Sequence, residues 1–417
     1  MKRLLVCLVI LSVAQFGYAA DLRRAKPESV GMSSERLERI RPFMAKYVEE
    51  GKLAGVMTAV ARKGKLVHLE KVGKLNIETG EPLKDDSLFR IYSMSKPIVT
   101  VAAMMLHEQG RFRLDDPVAD YLPEFKDTMV LVDGVEVPQT HPFTIRELMS
   151  HQAGLTYGVF SDTPVDRLYR AAGILRNKNL EEMVTELGKI PLLNQPGTKW
   201  VYSVSVDVLG RLIEVIAGQP LDVYLQEQLF APLRMVDTFF EVPRDKLERF
   251  GTNHIKDPET GALKVFDSPE TSQFANNVTF FSGGGGLVST MADYLRFAQM
   301  LANGGELDGA RIISPKTLQV MTRNHLAPGV TSGFGERPGT TGTFAFGLGF
   351  GVAVEEPLSN LGSAGEFTWG GAAGTIFWVD PKEDLIAVLM VQMMRNPYPL
   401  RTQFKNLVYQ AVTQAND

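Results

Sequence analysis

Ser93 and Lys96 stand three residues apart in LFRIYSMSKPIVTVAAMMLHEQG, ahead of an almost wholly apolar run. Residues three apart on the first turn of a helix share a face. Pro97 has no N–H, so it must fall within that first turn, which puts Ser93 at or near the helix start. Free backbone N–H groups and the positive helix end then favour a negative charge developing at the serine. The following helix reads as buried, and a desolvated Lys96 can accept or share the serine proton. The competing account makes Ser93 an N-cap and Lys96 a surface charge, since serine is a favoured cap and one S-x-x-K arises readily by chance.

Two further stretches bear on that choice. In PGTKWVYSVSVDVLG, Tyr202 follows a Pro-Gly turn and precedes an amphipathic helix. By itself it reads as a core aromatic. Beside a lysine in a dry cleft, phenol and amine would titrate as a unit. In EFTWGGAAGTIFWVD, Trp369, Gly370 and Gly371 open a strand, where glycines let the backbone approach a ligand. The N–H of Ala372 could then join that of Ser93 as an oxyanion hole, unless the glycines mark only a bulged edge.

Other nucleophilic and metal signatures are missing. There is no G-x-S-x-G, and the six histidines form no H-E-x-x-H. His151 reads as a structural histidine at a helix end. The glycine-rich SGGGGL (282–287) and GLGFG (347–351) lack the strand–G-x-G-x-x-G–helix order of a nucleotide site and read as turns or close-packed backbone. The only cysteine, Cys7, lies in an N-terminal apolar run after Lys2 and Arg3, followed by Tyr18-Ala19-Ala20. Residues 1–20 read as a cleaved signal peptide, which predicts a periplasmic or secreted, cysteine-free mature chain. The 417 residues carry a net charge of −4 with no basic cluster, so neither nucleic acid nor a membrane span is indicated. No cofactor or metal is expected.

The elements that must position these residues follow from periodicity. Ser33 or Ser34 should cap a helix through Leu37, Ile40, Phe43 and Tyr47, with a bend at Pro42. AGVMTAVA (54–61) and KLVHLEKVG (65–73) read as a hairpin, and residues from 93 to about 250 as mostly helical. Thr144 should open a helix, Gly218 should close one, and Thr290 and Ser314 should start two more. Strands return at 344–354, 374–380 and 385–392, before a helix over 400–413. One antiparallel sheet built from both chain ends, flanked by helices, with a helical lobe beside it, is the simplest packing: an α+β fold with the site between lobes.

These stretches, with RLDDPVADYLPEF, TIRELMSHQAGLTYG and GGGGLVSTMADYLRFAQML, resemble the serine hydrolases of the β-lactamase and penicillin-binding superfamily, above all class C β-lactamases and family VIII carboxylesterases. The resemblance implies a single β-lactamase/transpeptidase-like domain over 21–417, with an α/β lobe from about 21–92 and 290–417 and a helical lobe from about 93–289. It implies Ser93 as the acylated serine, Lys96 as the motif lysine, Tyr202 as base or proton relay, and Ala372 as second oxyanion donor. Val204 stands where the β-lactamases have asparagine, and Trp369 where their third motif has lysine. Both changes remove groups that hold a β-lactam, and a lost hydrogen bond to a charged group is worth roughly 1.5–3 kcal/mol. Short-chain ester hydrolysis is therefore the leading expectation. Weak β-lactamase or D-amino-acid peptidase activity, or a non-catalytic penicillin-binding-like role, are the alternatives. Trp369, Gly370, Gly371, Val204 and Tyr157 are the expected substrate-binding residues, with Phe160 and the loop around Phe334 as further pocket walls.

Overall fold

The computed structural model describes residues 22–333, 344–356 and 361–416. Residues 1–21, with Cys7 and the expected signal peptide, and the loop around Phe334 lie outside the described residues.

Strand Gly55–Arg62 is buried at every position, so both of its faces must be covered. Its side chains alternate. Val56 and Val60 enter a core with Ile40, Met44, Phe404 and Val408, while Met57, Ala59 and Ala61 enter the larger core with Tyr294 and Ala298. The neighbouring strand Leu385–Val391 repeats the pattern: Ala387 and Leu389 face the first core, Ile386 and Val388 the second. Helices Ile40–Glu49 and Leu400–Tyr409 therefore cover one face of the sheet and helix Met291–Ala302 the other.

The seven-stranded sheet runs Phe344–Phe346, Gly351–Ala353, Phe367–Gly370, Ile376–Asp380, Leu385–Val391, Gly55–Arg62 and Lys65–Gly73. Every neighbour pair is antiparallel. The two chain ends meet one strand in from the Lys65–Gly73 edge, where Val56 pairs with Val391 and Arg62 with Leu385. Most helices between residues 95 and 225 form the second lobe, around helix Ser95–Glu108 packed on helix Ser205–Ala217. The α+β architecture expected from the sequence is the one observed.

Several local expectations need correction. Residues 344–354 form a hairpin of two short strands rather than one. Gly349 turns the chain at φ +80°, and a Cβ there would lie 2.5 Å from Thr100 Oγ1. Pro42 bends nothing: the chain breaks earlier, around Glu38 and Arg39, and Pro42 sits in the first turn of Ile40–Glu49, where no N–H is needed. Of the two candidate caps, Ser33 takes the role, accepting from Arg36 N at 3.3 Å. The last helix stops at Tyr409, short of the expected Thr413.

His68, on the strand beside Gly55–Arg62, yields a pH prediction. Its Nε2 lies 2.9 Å from Thr58 Oγ1, and burial pushes the ring down to about 4 from 6.5. The unfolded chain then binds the proton first, so this stability is complete above pH 6.5 and is lost as pH falls towards 4. The difference is worth about 3 kcal/mol. Urea unfolding at pH 7 and pH 4 should show His68→Gln losing less stability on acidification than the parent, by about that amount.

Candidate active site

Tyr92–Met94 form one 3-10 turn that leads into helix Ser95–Glu108. Met94, not Ser93, occupies the cap position of that helix, and no side chain caps it. The serine hydroxyl is thus free of the structural duty a cap would impose. Tyr92 adopts φ +43°, a left-handed conformation that costs a residue with a Cβ roughly 1–2 kcal/mol. Its hydroxyl accepts from Asn253 Nδ2 at 2.8 Å, and its ring packs edge-on against Phe274. Ile91 N donates to Leu287 O, Ser95 Oγ accepts from Leu287 N, and Tyr294 donates to Met94 O. The strained turn is therefore held from several sides, with Ser93 half-buried at a cleft.

Lys96 is fully buried, and its ammonium has three acceptors: Ser93 Oγ at 3.3 Å, Tyr157 OH at 2.7 Å and Gly284 O at 2.5 Å. Three acceptors match its three N–H bonds. The Tyr202 ring centroid lies 4.6 Å from Nζ, so this tyrosine presents its face to the amine. Tyr157 therefore makes the direct lysine contact that the sequence led us to expect of Tyr202. Burial, helped by Tyr202 and Asp207, pushes the Tyr157 phenol well above its ordinary value of 10. It stays protonated, and its ring packs against Tyr202 with centroids 5.2 Å apart, so Ser93, Lys96, Tyr157 and Tyr202 adjoin in that order.

The third stretch docks directly on the serine turn. Strand Phe367–Gly370 ends at Gly371, where a Cβ would lie 2.5 Å from Ile91 O and would also strike Thr375 Oγ1. Only glycine permits that approach. Arg401 Nη2 donates to Gly371 O at 2.5 Å and Thr375 O at 2.9 Å, and its guanidinium lies where a Cβ on Gly370 would be. Ala372 is thereby exposed in the cleft beside Ser93. Neither the Ala372 nor the Ser93 N–H has an acceptor among the described residues. Two free amides and a hydroxyl on one cleft can hold a tetrahedral oxyanion. The cleft measures about 1020 Å³, with Val159, Phe160 and Leu175 among its walls.

The sequence pattern of the beta-lactamase family matches residues 40–409. The chain belongs to that family. It is 34% identical over 360 residues to Protein Rv1367c of Mycobacterium tuberculosis, covering 82% of this chain and 87% of that one. It is 31% identical to Esterase EstB of Burkholderia gladioli, over 87% and 92% of the two chains. Among solved structures, EstCE1, a hydrolase with promiscuous acyltransferase activity, superposes with a TM-score of 0.78 at 27% identity, covering 91% of this chain and 99% of its own. This member of the beta-lactamase family is a serine hydrolase.

Of the five expected substrate contacts only Tyr157 lines the cleft; Gly370 lies against Arg401 and Gly371 against Ile91, and two more are displaced. Val204 is fully buried as the cap residue of helix Ser205–Ala217 and takes no part in lining the cleft. Trp369 is 5% exposed and stands behind Tyr202, with ring centroids 5.5 Å apart, so it supports the tyrosine rather than walling the cleft. His151 is structural, as expected. It is buried against Tyr202, Trp200 and Phe346, and burial with the Lys96 charge pushes it well below 6.5. Its carbonyl accepts from Val201 N, which fixes the chain entering Tyr202.

The sequence reading missed Asp207 and Gly284. Asp207 Oδ1 accepts from Ser282 Oγ at 2.5 Å and Gly284 N at 3.0 Å, while the carbonyl of that same glycine receives Lys96. A Cβ on Gly284 would collide with Asp207 Oδ2. Burial raises the Asp207 carboxyl and the Lys96 charge opposes that rise. A carboxylate five residues after Tyr202, inside an apolar helix, was the available signal. Asp207→Ala should cost roughly 3–5 kcal/mol in urea unfolding, because it removes the carboxylate whose charge faces buried Lys96 and leaves Ser282 Oγ and Gly284 N without their acceptor. Asp207→Asn, which keeps an acceptor oxygen, should cost less.

Proposed function

We propose that this chain is an exported carboxylesterase that cleaves short-chain esters through an acyl-enzyme on Ser93. The observation that carries the reading is the Lys96 ammonium, which bridges Ser93 Oγ and Tyr157 OH at the floor of a cleft with two free amides. Ser93 Oγ attacks the ester carbonyl as the Tyr202 oxygen, acting as a phenolate beside the Lys96 ammonium, takes the serine proton. The Ser93 and Ala372 amides hold the oxyanion. As the C–O bond breaks, the alcohol leaves with a proton returned by Tyr202. Water, deprotonated by the same groups, then attacks the acyl-enzyme and frees the acid.

Ester rather than β-lactam hydrolysis is supported by residue type. The third motif offers the apolar Trp369 where a β-lactamase has lysine, and Val204 replaces asparagine. EstB, named an esterase, and EstCE1, named a hydrolase, are consistent with this reading. Export rests on the basic start, apolar run and Tyr18-Ala19-Ala20 exit of residues 1–20. The test is a comparison of kcat/KM on p-nitrophenyl butyrate and on nitrocefin. The ester should win by about 100-fold or more, of the order expected for one lost charged contact. A faster nitrocefin reaction would sink the esterase reading in favour of a β-lactamase.

A further inference from the structure

The described residues that line the cleft include no aspartate or glutamate, but they include two arginines, Arg176 and Arg395. This stands out in a chain with more acidic than basic residues. Elsewhere on the surface Arg170, Arg211 and Arg249 each find a carboxylate. Arg176 and Arg395 are both exposed, and neither makes an ion pair or side-chain hydrogen bond with a described residue.

Their placement is fixed by backbone. Arg395 adopts φ +51°, a conformation that a residue with a Cβ enters only against a cost. It follows strand Met393–Met394, and Met393 N donates to Ala373 O at 2.9 Å, so Arg395 is tied to the turn that carries Ala372. Arg176 ends the short helix Ile174–Arg176 in the helical lobe. Thr279 Oγ1 donates to Lys178 O at 2.6 Å, which joins this segment to the cleft wall at Val278 and Phe280. Each lobe thus contributes one guanidinium to a cleft whose remaining wall is largely apolar.

We infer that the cleft selects esters that carry a carboxylate remote from the scissile carbonyl, such as monoesters of medium-length dicarboxylic acids. This rests on the esterase reading above. A guanidinium matches a carboxylate in geometry as well as charge, and an acid-free cleft leaves nothing to compete for it. The apolar wall suits the carbon chain between the ester and the anion.

The test uses three p-nitrophenyl esters of similar length: the glutarate monoester, the neutral valerate and the 4-(trimethylammonio)butyrate. Expected is a kcat/KM preference of about 10-fold or more for the anion over the neutral ester, with the cation poorest. The preference should shrink as salt is raised. In the Arg176→Gln/Arg395→Gln double variant the anionic-to-neutral ratio should fall by about 10-fold. An unchanged ratio, or a cationic ester handled best, would overturn the inference. If the enzyme turned over no ester, the esterase reading would fail while the anion preference could still be read separately. Calorimetry with glutaric acid monoanilide should then show binding that weakens about 10-fold in the double variant. Equal binding to both proteins, or none to either, would overturn it.

Discussion

Ser93→Ala is expected to lower turnover of p-nitrophenyl butyrate by about 10^5-fold, the scale on which removal of an acylated serine acts. Ser95 cannot stand in, because it is fully buried and its Oγ is engaged by Leu287 N. The variant should fold. Ser93 Oγ receives one bond, from Lys96, and faces a cleft where water can replace it. Thermal unfolding should therefore shift little, and labelling by a fluorophosphonate probe should vanish. Retained turnover would mean that another group carries the acyl chain.

Gly371→Ala should be nearly as damaging for a different reason. The added Cβ meets Ile91 O and Thr375 Oγ1, so the Gly371–Thr375 turn must move away from the serine. Gly371 also donates to Thr375 O and accepts from Arg401, so the displacement carries the Ala372 amide with it. Loss of one oxyanion donor costs about 10^2- to 10^3-fold in kcat. Because that donor acts in the transition state, kcat should fall while KM changes little. A variant that instead raised KM alone would show that this turn binds substrate but does not hold the oxyanion.

What the sequence disclosed of the site was what lies close along the chain. Ser93 and Lys96 are one helical turn apart, and Pro97 dates the helix start, so their shared face could be read directly. The Lys96 environment could not. Tyr157, Gly284 and Asp207 come from three separate segments, and only the fold decides which hydroxyl or carbonyl reaches the amine. Tyr157 was therefore read as a wall, Gly284 as a turn, and Asp207 was passed over. Unbroken runs of apolar, β-branched and aromatic residues made strands such as Gly55–Arg62 and Leu385–Val391 legible, because both of their faces are buried. The same cue failed at 344–354, where Gly347 and Gly349 reverse the chain inside an apolar run. Val204 and Trp369 were recognised as departures in type, but their burial depended on neighbours remote in sequence: Trp369 stands behind Tyr202 and against Phe346.

The pairing of Gly55–Arg62 with Leu385–Val391 has a bearing on synthesis. Strand Gly55–Arg62 waits for a partner made more than 300 positions later, and the Gly371 turn waits for its clamp, Arg401, 30 positions further on. Contacts of such long sequence separation close slowly, and until then the apolar edges of the first hairpin stay open to wrong partners. A nascent chain still lacking its last few dozen residues consequently holds Ser93 and Lys96 but no finished hydrolytic centre, and needs shielding until its end emerges.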